Sequence, residues 1–231
     1  PQLLQRKLET AKLQSIEPNI STTSTVTGTY NALDLNTVMK ASQTISSEIM
    51  LDSLLVKLIK IVIENAGAQT GFLILKKERL LVVAQGDANK DEYIVLQSEL
   101  NETDQQLPLS IVNYVERTQE NVVVNDAVLE GRFSNDPYMI DNRPKSILCT
   151  PIIYQGQFIG LLYLENNLST GAFTAERLEV LKLLSSQAAI SLRNAQLYEE
   201  TTALNINLKQ EVTERQQAEL ALYESERRLA Q

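Results

Sequence analysis

Apolar residues along this chain follow two different periods, and the switches between them mark out its elements. After Asp34, a good N-cap, the residues Leu35, Val38, Met39, Ser42, Ile45 and Ile49 form a helical stripe. Asp52 is positioned to cap a second helix, SLLVKLIKIVIENAG, with Leu54, Leu55, Leu58, Ile59, Val62 and Ile63 facing inward and Gly67 at its end. Beyond Gly67 the period becomes that of strands. Residues 71–75 and 80–84 flank the polar KKER as a hairpin, 93–96 is a third extended run, and 121–125 (NVVVN) a fourth. Residues 147–154 and 157–164 make the clearest hairpin, turned by Gln155-Gly156. Pro108 opens a short helix, LSIVNYVERTQ, while AVLEGRFSNDPYMIDNRPK carries neither period and reads as an irregular stretch. Helices that bracket a largely antiparallel sheet predict an α+β fold.

The C-terminal quarter has a pattern of its own. No Gly or Pro follows Gly171, so nothing stops a helix once it starts, and at ~1.5 Å per residue it reaches on the order of 85 Å. Thr174 suits the N-cap, Glu176 sets a carboxylate against the positive end, and Phe173 with Leu178 has the spacing of a hydrophobic staple. Apolar residues between 178 and 198 cover more than one stripe, which predicts packing on two sides, one of them the domain itself. Leu181, Ala188, Leu192 and Ala195 are the candidates there for a dimer and signalling face. Past Glu199 the composition turns to Glu, Gln, Arg and Lys with sparse leucines. Leu208, Arg215, Leu222 and Leu229 fall on a seven-residue period, with Leu204, Glu211, Ala218 and Ser225 as companions. Glu211 and Arg215 are poor core residues and Val212 offers a competing register, so the seam is weak or adjustable; a solvated tail with chance leucines is the other reading.

Composition narrows the function. With 43% hydrophobic residues the chain builds a core, and a formal charge of −8 argues against binding a phosphate backbone, so no nucleic-acid partner is expected. There is no histidine and one cysteine, Cys149, which excludes an intramolecular disulfide, the usual Cys/His zinc site, histidine-ligated haem and imidazole-based triads. No apolar run approaches a membrane span, so no membrane insertion is expected and the segment reads as a cytoplasmic piece of something longer. No phosphate-binding GxxxxGK loop or nucleophile elbow is present, and catalysis is not expected. Residues 1–16 have helical composition, and Pro18 with NISTTSTVTGTY reads as a linker, giving units 1–32, 33–200 and 201–231.

The succession GFLIL, NVVVNDA, KSILCTPIIYQGQFIGLLYLENN and FTAERLEVLKLLSSQAAISLRNAQLYEE resembles a GAF domain over about residues 33–200. Its most specific pieces are the Pro151-containing strand pair with its Ile159-Gly160 step, the Phe173-Thr174 helix start and the run from Ala189 to Tyr198. The tail EVTERQQAELALYESERRLAQ is similar to connectors that precede a PAS or histidine-kinase module in large bacterial, especially cyanobacterial, sensor kinases, including hybrids with a serine/threonine kinase. The resemblance implies a GAF/PAS-like central antiparallel sheet, with a pocket on one face and the terminal helices on the other. It further implies a non-catalytic sensory domain in a sensor histidine kinase, relaying a small-molecule or upstream-domain signal through a parallel homodimer to a downstream PAS or kinase module in the same chain. A ligand-free dimerisation and spacing module is the alternative. Relatives that bind cyclic nucleotides carry Asn-Lys, then Phe followed by an acidic pair. Asn166 and Phe173 match, but Asn167 stands for the lysine and Arg177-Leu178 for the acids. Bilin-binding relatives place a histidine after their cysteine, whereas Thr150 follows Cys149, so no covalent bilin is expected, and no other cofactor is evident.

On that frame the pocket face is expected to involve Phe72, Gln85, Ile111, Phe133, Ser134, Tyr138 and Tyr163, with residues 133–138 as a lid loop. Tyr163 is the most pointed of these, because a hydroxyl among Leu161 and Leu162 needs a partner once buried. The plain alternative is a filled core without a ligand. The acids Asp126, Glu130, Asp136 and Asp141 around the irregular stretch read as solvated, and Cys149 as a small strand hydrophobe rather than a redox sensor.

Overall fold

A computed structural model describes residues 39–100, 106–127 and 131–229. The expected helix and linker over 1–32, the Asp34 cap and Glu130 lie outside these residues. Helix α1 is described over 39–46, followed by α2 (Leu51–Ala66), the strands β1 (Thr70–Lys76), β2 (Leu80–Asp87) and β3 (Glu92–Glu99), α3 (Leu109–Thr118), β4 (Val122–Val124), a 3-10 turn (Gly131–Phe133), α4 (Pro137–Asn142), β5 (Ser146–Tyr154), β6 (Gln157–Asn166) and α5 (Ala175–Leu229). The strands form one antiparallel sheet in the order β3-β2-β1-β6-β5-β4.

Local chemistry fixes the joints. Asp52 lies in the first turn of α2 rather than at its cap, which is Met50 without a side-chain hydrogen bond; its carboxylate still complements the positive helix end. Gly67 ends α2 in the left-handed region, with Gly67 N donating to the Glu64 carbonyl and Ala68 N to that of Ile63, the paired bonds of a Schellman turn. Gln155 and Gly156 both have positive φ, as a type I′ hairpin turn requires. Gly160 answers to close approach instead, since a Cβ there runs into the Ile74 carbonyl oxygen and Leu75 Cα of β1. At the start of α5 the Arg177 N–H donates to Thr174 Oγ1 at 3.5 Å, and Phe173 is buried with Leu178 packed against the same core.

The central strands are apolar on both faces because both are covered. On one face Leu73, Leu75, Val83, Leu148, Ile152, Leu162 and Leu164 pack with α2, α5 and, from α1, Ala41 and Ile45. Met39 and Ile49 of the expected helical stripe are exposed, and Ile49 lies beyond the end of α1 at residue 46. On the other face Phe72, Ile74, Val82, Ile147, Cys149, Leu161 and Tyr163 pack with Ile111, Val112 and Val115 of α3 and Met139 of α4. The sheet therefore separates a helical wall from the face over which α3 and α4 lie.

Helix α5 runs unbroken for 55 residues, about 82 Å. Leu181, Leu184, Ala188, Ala189, Leu192 and Ala195 are buried in the first core, while Leu183, Ile190 and Leu197 are exposed. Leu181, Ala188, Leu192 and Ala195 are thus taken up by the domain itself, and the apolar face left free is a different stripe. Leu204 and Leu208 beyond it are exposed; the side chains of Leu222 and Leu229 lie outside those described.

Candidate functional site

The face under α3 and α4 is built on one row of cross-strand partners that crosses all six strands. Ile94 pairs with Gln85, Gln85 with Phe72, Phe72 with Tyr163, Tyr163 with Cys149, and Cys149 with Val122. Residues directly opposite in an antiparallel sheet share a face, so the fold brings Phe72, Gln85 and Tyr163 together beside Cys149. The Phe72 and Tyr163 rings tilt against each other at 6.2 Å. Ile111 of α3 is fully buried above them, and Phe133 packs on the rim with its ring 5.9 Å from that of Tyr114. Ser134 is not drawn in. It is exposed, and its hydroxyl donates to the Gly131 carbonyl.

The stretch 133–138 runs from the end of the 3-10 turn through a bend into the first residues of α4 rather than forming a free loop, and Asp136 fixes it. One of its carboxylate oxygens accepts from Tyr138 N at 2.9 Å, capping α4, and the other accepts from Ser110 N at 2.8 Å in the first turn of α3. One buried carboxylate thereby joins the N-termini of both covering helices, so Asp136 is not a solvated loop acid. Pro137 at the first helical position suits the same turn.

The chemical centre of this face is Glu165, which sequence reasoning did not single out. Its side chain, in a residue only 4% exposed, accepts from Tyr138 Oη at 2.7 Å and Tyr163 Oη at 2.9 Å on one oxygen, and from Asn167 Nδ2 at 2.5 Å on the other. No ion pair to it is formed among the described residues; neutral donors hold the carboxylate. Burial first, and then the Glu165 charge, push the Tyr138 and Tyr163 phenols well above their ordinary range, so both remain donors. A usable signal was present: on a strand, positions 163 and 165 share a face, which puts a carboxylate two residues from the tyrosine that needed a partner.

Cys149 is fully buried in the row between Tyr163 and Val122, and burial alone pushes its thiol pKa upward, away from the reactive thiolate. Among the described residues no group of three or more Cys, Asp or Glu side chains could hold a metal ion. A groove of about 380 Å³ opens on the other side of the sheet, where Leu51 and Leu55 meet Leu75, Val83 and Arg193. It is separate from the row just described. No helix among the described residues is long and apolar enough to cross a membrane.

Comparison with known proteins sets this architecture in context. The model of the GAF domain family matches residues 50–192, more than half of the chain. Hybrid signal transduction histidine kinase G of Dictyostelium discoideum is 29% identical across 73% of the chain, and the peroxide stress-activated histidine kinase mak3 of Schizosaccharomyces pombe is 26% identical across 76%. The matched region is 8% of either kinase, so the chain spans under a tenth of these relatives. Both are eukaryotic, and the cyanobacterial source suggested by the tail finds no support in them. Among solved structures, the GAF domain of an Acinetobacter phosphoenolpyruvate-protein phosphotransferase superposes with a TM-score of 0.55 at 21% identity, covering 71% of this chain and 95% of that one, a likeness of fold. With the family match resting on the same sheet, covering helices and terminal helix described above, the chain belongs to the GAF domain family and is a regulatory rather than a catalytic domain.

Proposed function

We propose that this domain relays a small-molecule or upstream-domain signal to a downstream PAS or kinase module of the same chain within a cytoplasmic, multidomain sensor histidine kinase. Residues 33–200 form the sensory unit and 201–231 the transmitting helix. The relay is mechanical: a change over the Tyr138–Glu165 site alters how α5 seats on the sheet, and parallel pairing of α5 with a second copy carries that change onward. The kinase relatives named above support the setting.

The observation that carries this reading is the two-sided character of α5. Leu183, Ile190, Leu197 and Leu204 recur every seven residues and are all exposed, opposite the face that the core consumes. One helix is thus both domain wall and free apolar stripe, and the stripe continues past the last core contact at Ala195. Sedimentation of the 231-residue chain is expected to give a dimer at micromolar concentration, and Ile190→Glu with Leu197→Glu a folded monomer. A cysteine placed at Leu204 is expected to cross-link two copies in parallel, Cys149 being buried and out of competition. A wild-type chain that stays monomeric at every concentration refutes the pairing.

The ligand-free dimerisation and spacing reading is favoured by how full the site is: Ile111 and Tyr163 are wholly buried and Glu165 is satisfied by protein donors. Thermal-shift screening against nucleotides and metabolites separates the two, because a ligand that binds only the folded form raises the midpoint.

A further inference from the structure

Beyond the Tyr138–Glu165 face, the helical side of the sheet holds a second, polar groove. It lies where the loop after α3 meets β5 and α5, and its volume is about 220 Å³. Gln119, Asn121, Thr150, Lys182 and Ser185 supply its polar groups, and Pro151 and Ile153 its apolar wall. We infer that this groove is a binding site for a small oxyanion, a carboxylate or a phosphate group, seated between β5 and the signalling helix.

The first support is Ser185. It is 7% exposed, within the stretch of α5 whose neighbours Leu181, Leu184, Ala188 and Leu192 are packed in the core, and its hydroxyl has no hydrogen-bond partner among the described protein groups. Alanine would fill that helical position without leaving a buried hydroxyl unsatisfied, so the serine calls for a partner from outside the fold. The hydroxyl itself is closed to solvent, but its residue lines the groove, so a turn about χ1 is what brings it to a ligand there.

The second support is the polarity of the remaining groups. Thr150, 8% exposed, donates its hydroxyl to Asn121 Oδ1 at 2.7 Å, which occupies the amide's acceptor and leaves its NH2 as the free end. Lys182 is exposed and forms no ion pair among the described residues. No carboxylate lines the groove, and the neighbouring Glu120 accepts instead from the Tyr114 hydroxyl at 2.9 Å. An ammonium and an amide NH2 with no acid between them, beside a hydroxyl that a χ1 turn adds as a third donor, suit an oxygen-rich anion, for which charge-assisted hydrogen bonds are the stronger kind. A cation would find no charge to meet it. Because one wall is β5 and the other α5, an anion held here fastens the signalling helix to the sheet from the side opposite the Tyr138–Glu165 site.

The test is a titration of the 231-residue chain with inorganic phosphate and, separately, with acetate, at ionic strength held constant with chloride, followed through backbone amide shifts of Asn121, Lys182 and Ser185. At least one anion is expected to give saturable shifts confined to the groove, phosphate alone indicating a phosphate ligand and acetate alone a carboxylate. Lys182→Gln is expected to weaken that binding at least tenfold and Ser185→Ala several-fold, while Ser185→Ala leaves the urea midpoint unchanged or higher. The proposal is overturned if neither anion saturates, if the variants bind as tightly as wild type, or if Ser185→Ala lowers the midpoint. That last result would mean the hydroxyl is already satisfied within the fold. None of these readouts depends on pairing of α5 or on a ligand at the other site.

Discussion

Replacing Tyr138 by phenylalanine isolates the contact on which the covered face depends. The ring and its packing stay, and only the 2.7 Å hydrogen bond to Glu165 is lost. A hydrogen bond to a charged group is worth about 1.5–3 kcal/mol, and Tyr138 is part-exposed, so a loss near the lower end, about 1.5–2 kcal/mol, is expected. In a domain of this size that lowers the melting midpoint by roughly 3–8 °C. Tyr163→Phe removes the second bond to the same oxygen from a fully buried ring and is expected to cost about 2–3 kcal/mol. The two losses are coupled, because after either one Glu165 retains one phenol and Asn167, whereas after both it retains only Asn167. The double variant should therefore fall below the sum of the singles by at least about 0.5 kcal/mol. Urea unfolding of the four proteins measures the cycle, and a Glu165→Leu background supplies the control, in which Tyr138→Phe should cost less than about 0.5 kcal/mol. If Tyr138→Phe costs as much beside leucine as beside glutamate, its effect is ring packing and the hydrogen-bond reasoning fails.

Gly160→Ala forces a Cβ into the β1 backbone at Ile74 and Leu75, and since neither can step aside as a side chain would, a loss of about 3 kcal/mol or failure to fold is expected; an alanine variant with a wild-type urea midpoint would contradict it. Alkaline stability should fall in two stages, because folded-state pKa values raised above 9.0 for Cys149 and 10.0 for Tyr138 and Tyr163 mean that the native state binds more protons than the unfolded chain above those pH values. The contribution is complete below pH 9 and declines by up to about 1.4 kcal/mol per pH unit for each fully buried group, less for Tyr138; Cys149→Ala should remove the first stage, and stability that is flat to pH 11 rules the scheme out. Asn166→Ala deletes the 2.7 Å bond from its amide to the Gly67 carbonyl and the two 2.9 Å bonds that its oxygen accepts from Leu168 N and Ser169 N, so hydrogen exchange should quicken at the end of α2 and in the turn before α5, with α4 unaffected.

Much of this architecture was legible because the chain states it in strong local patterns. The switch from helical to alternating period after Gly67, the Gln155-Gly156 turn and the Thr174 start of α5 each appear where the residues indicate, since each has a local physical cause. α4 escaped because six residues are too few to show a helical period, although Asp136-Pro137 already had the form of a cap followed by a first helical residue. Of the expected pocket residues, Phe72, Gln85, Ile111 and Tyr163 come to one face because strand alternation and a helical stripe fix them. Ser134 does not, since a turn gives no period from which to project a side chain. Which stripe of α5 the domain consumes could not be read from the helix alone. Leu181 and Leu183 are equally apolar, and only the position of β5 and α2 decides that one is buried and the other free.

The end of β6 shows how a single turn serves both faces of the sheet. Successive side chains on a strand point to opposite sides, so Glu165 reaches under α4 to Tyr138 while Asn166 reaches the other way, to the Gly67 carbonyl at the end of α2. The Glu165 carbonyl accepts from Gln69 N, and Gln69 Oε1 in turn accepts from Asn167 N at 2.6 Å, tying both to the start of β1. Gly67 lies against the Arg177 guanidinium, which donates to the Ala172 carbonyl in the turn that opens α5. A displacement of Tyr138 therefore meets, within three consecutive residues, the hydrogen bonds that hold α2 and the base of α5. The chain Glu165-Asn166-Asn167 departs from the Asn-Lys pattern of cyclic-nucleotide binders at Asn167, and that departure has a structural counterpart: the amide both receives and donates within this turn, accepting from Lys145 N and donating to Glu165, which a lysine cannot do. Substituting lysine there would supply Glu165 with a cation but leave Lys145 N without its acceptor. One of the residues at which this chain departs from that pattern is thus the one that completes the neutral cradle around its buried carboxylate.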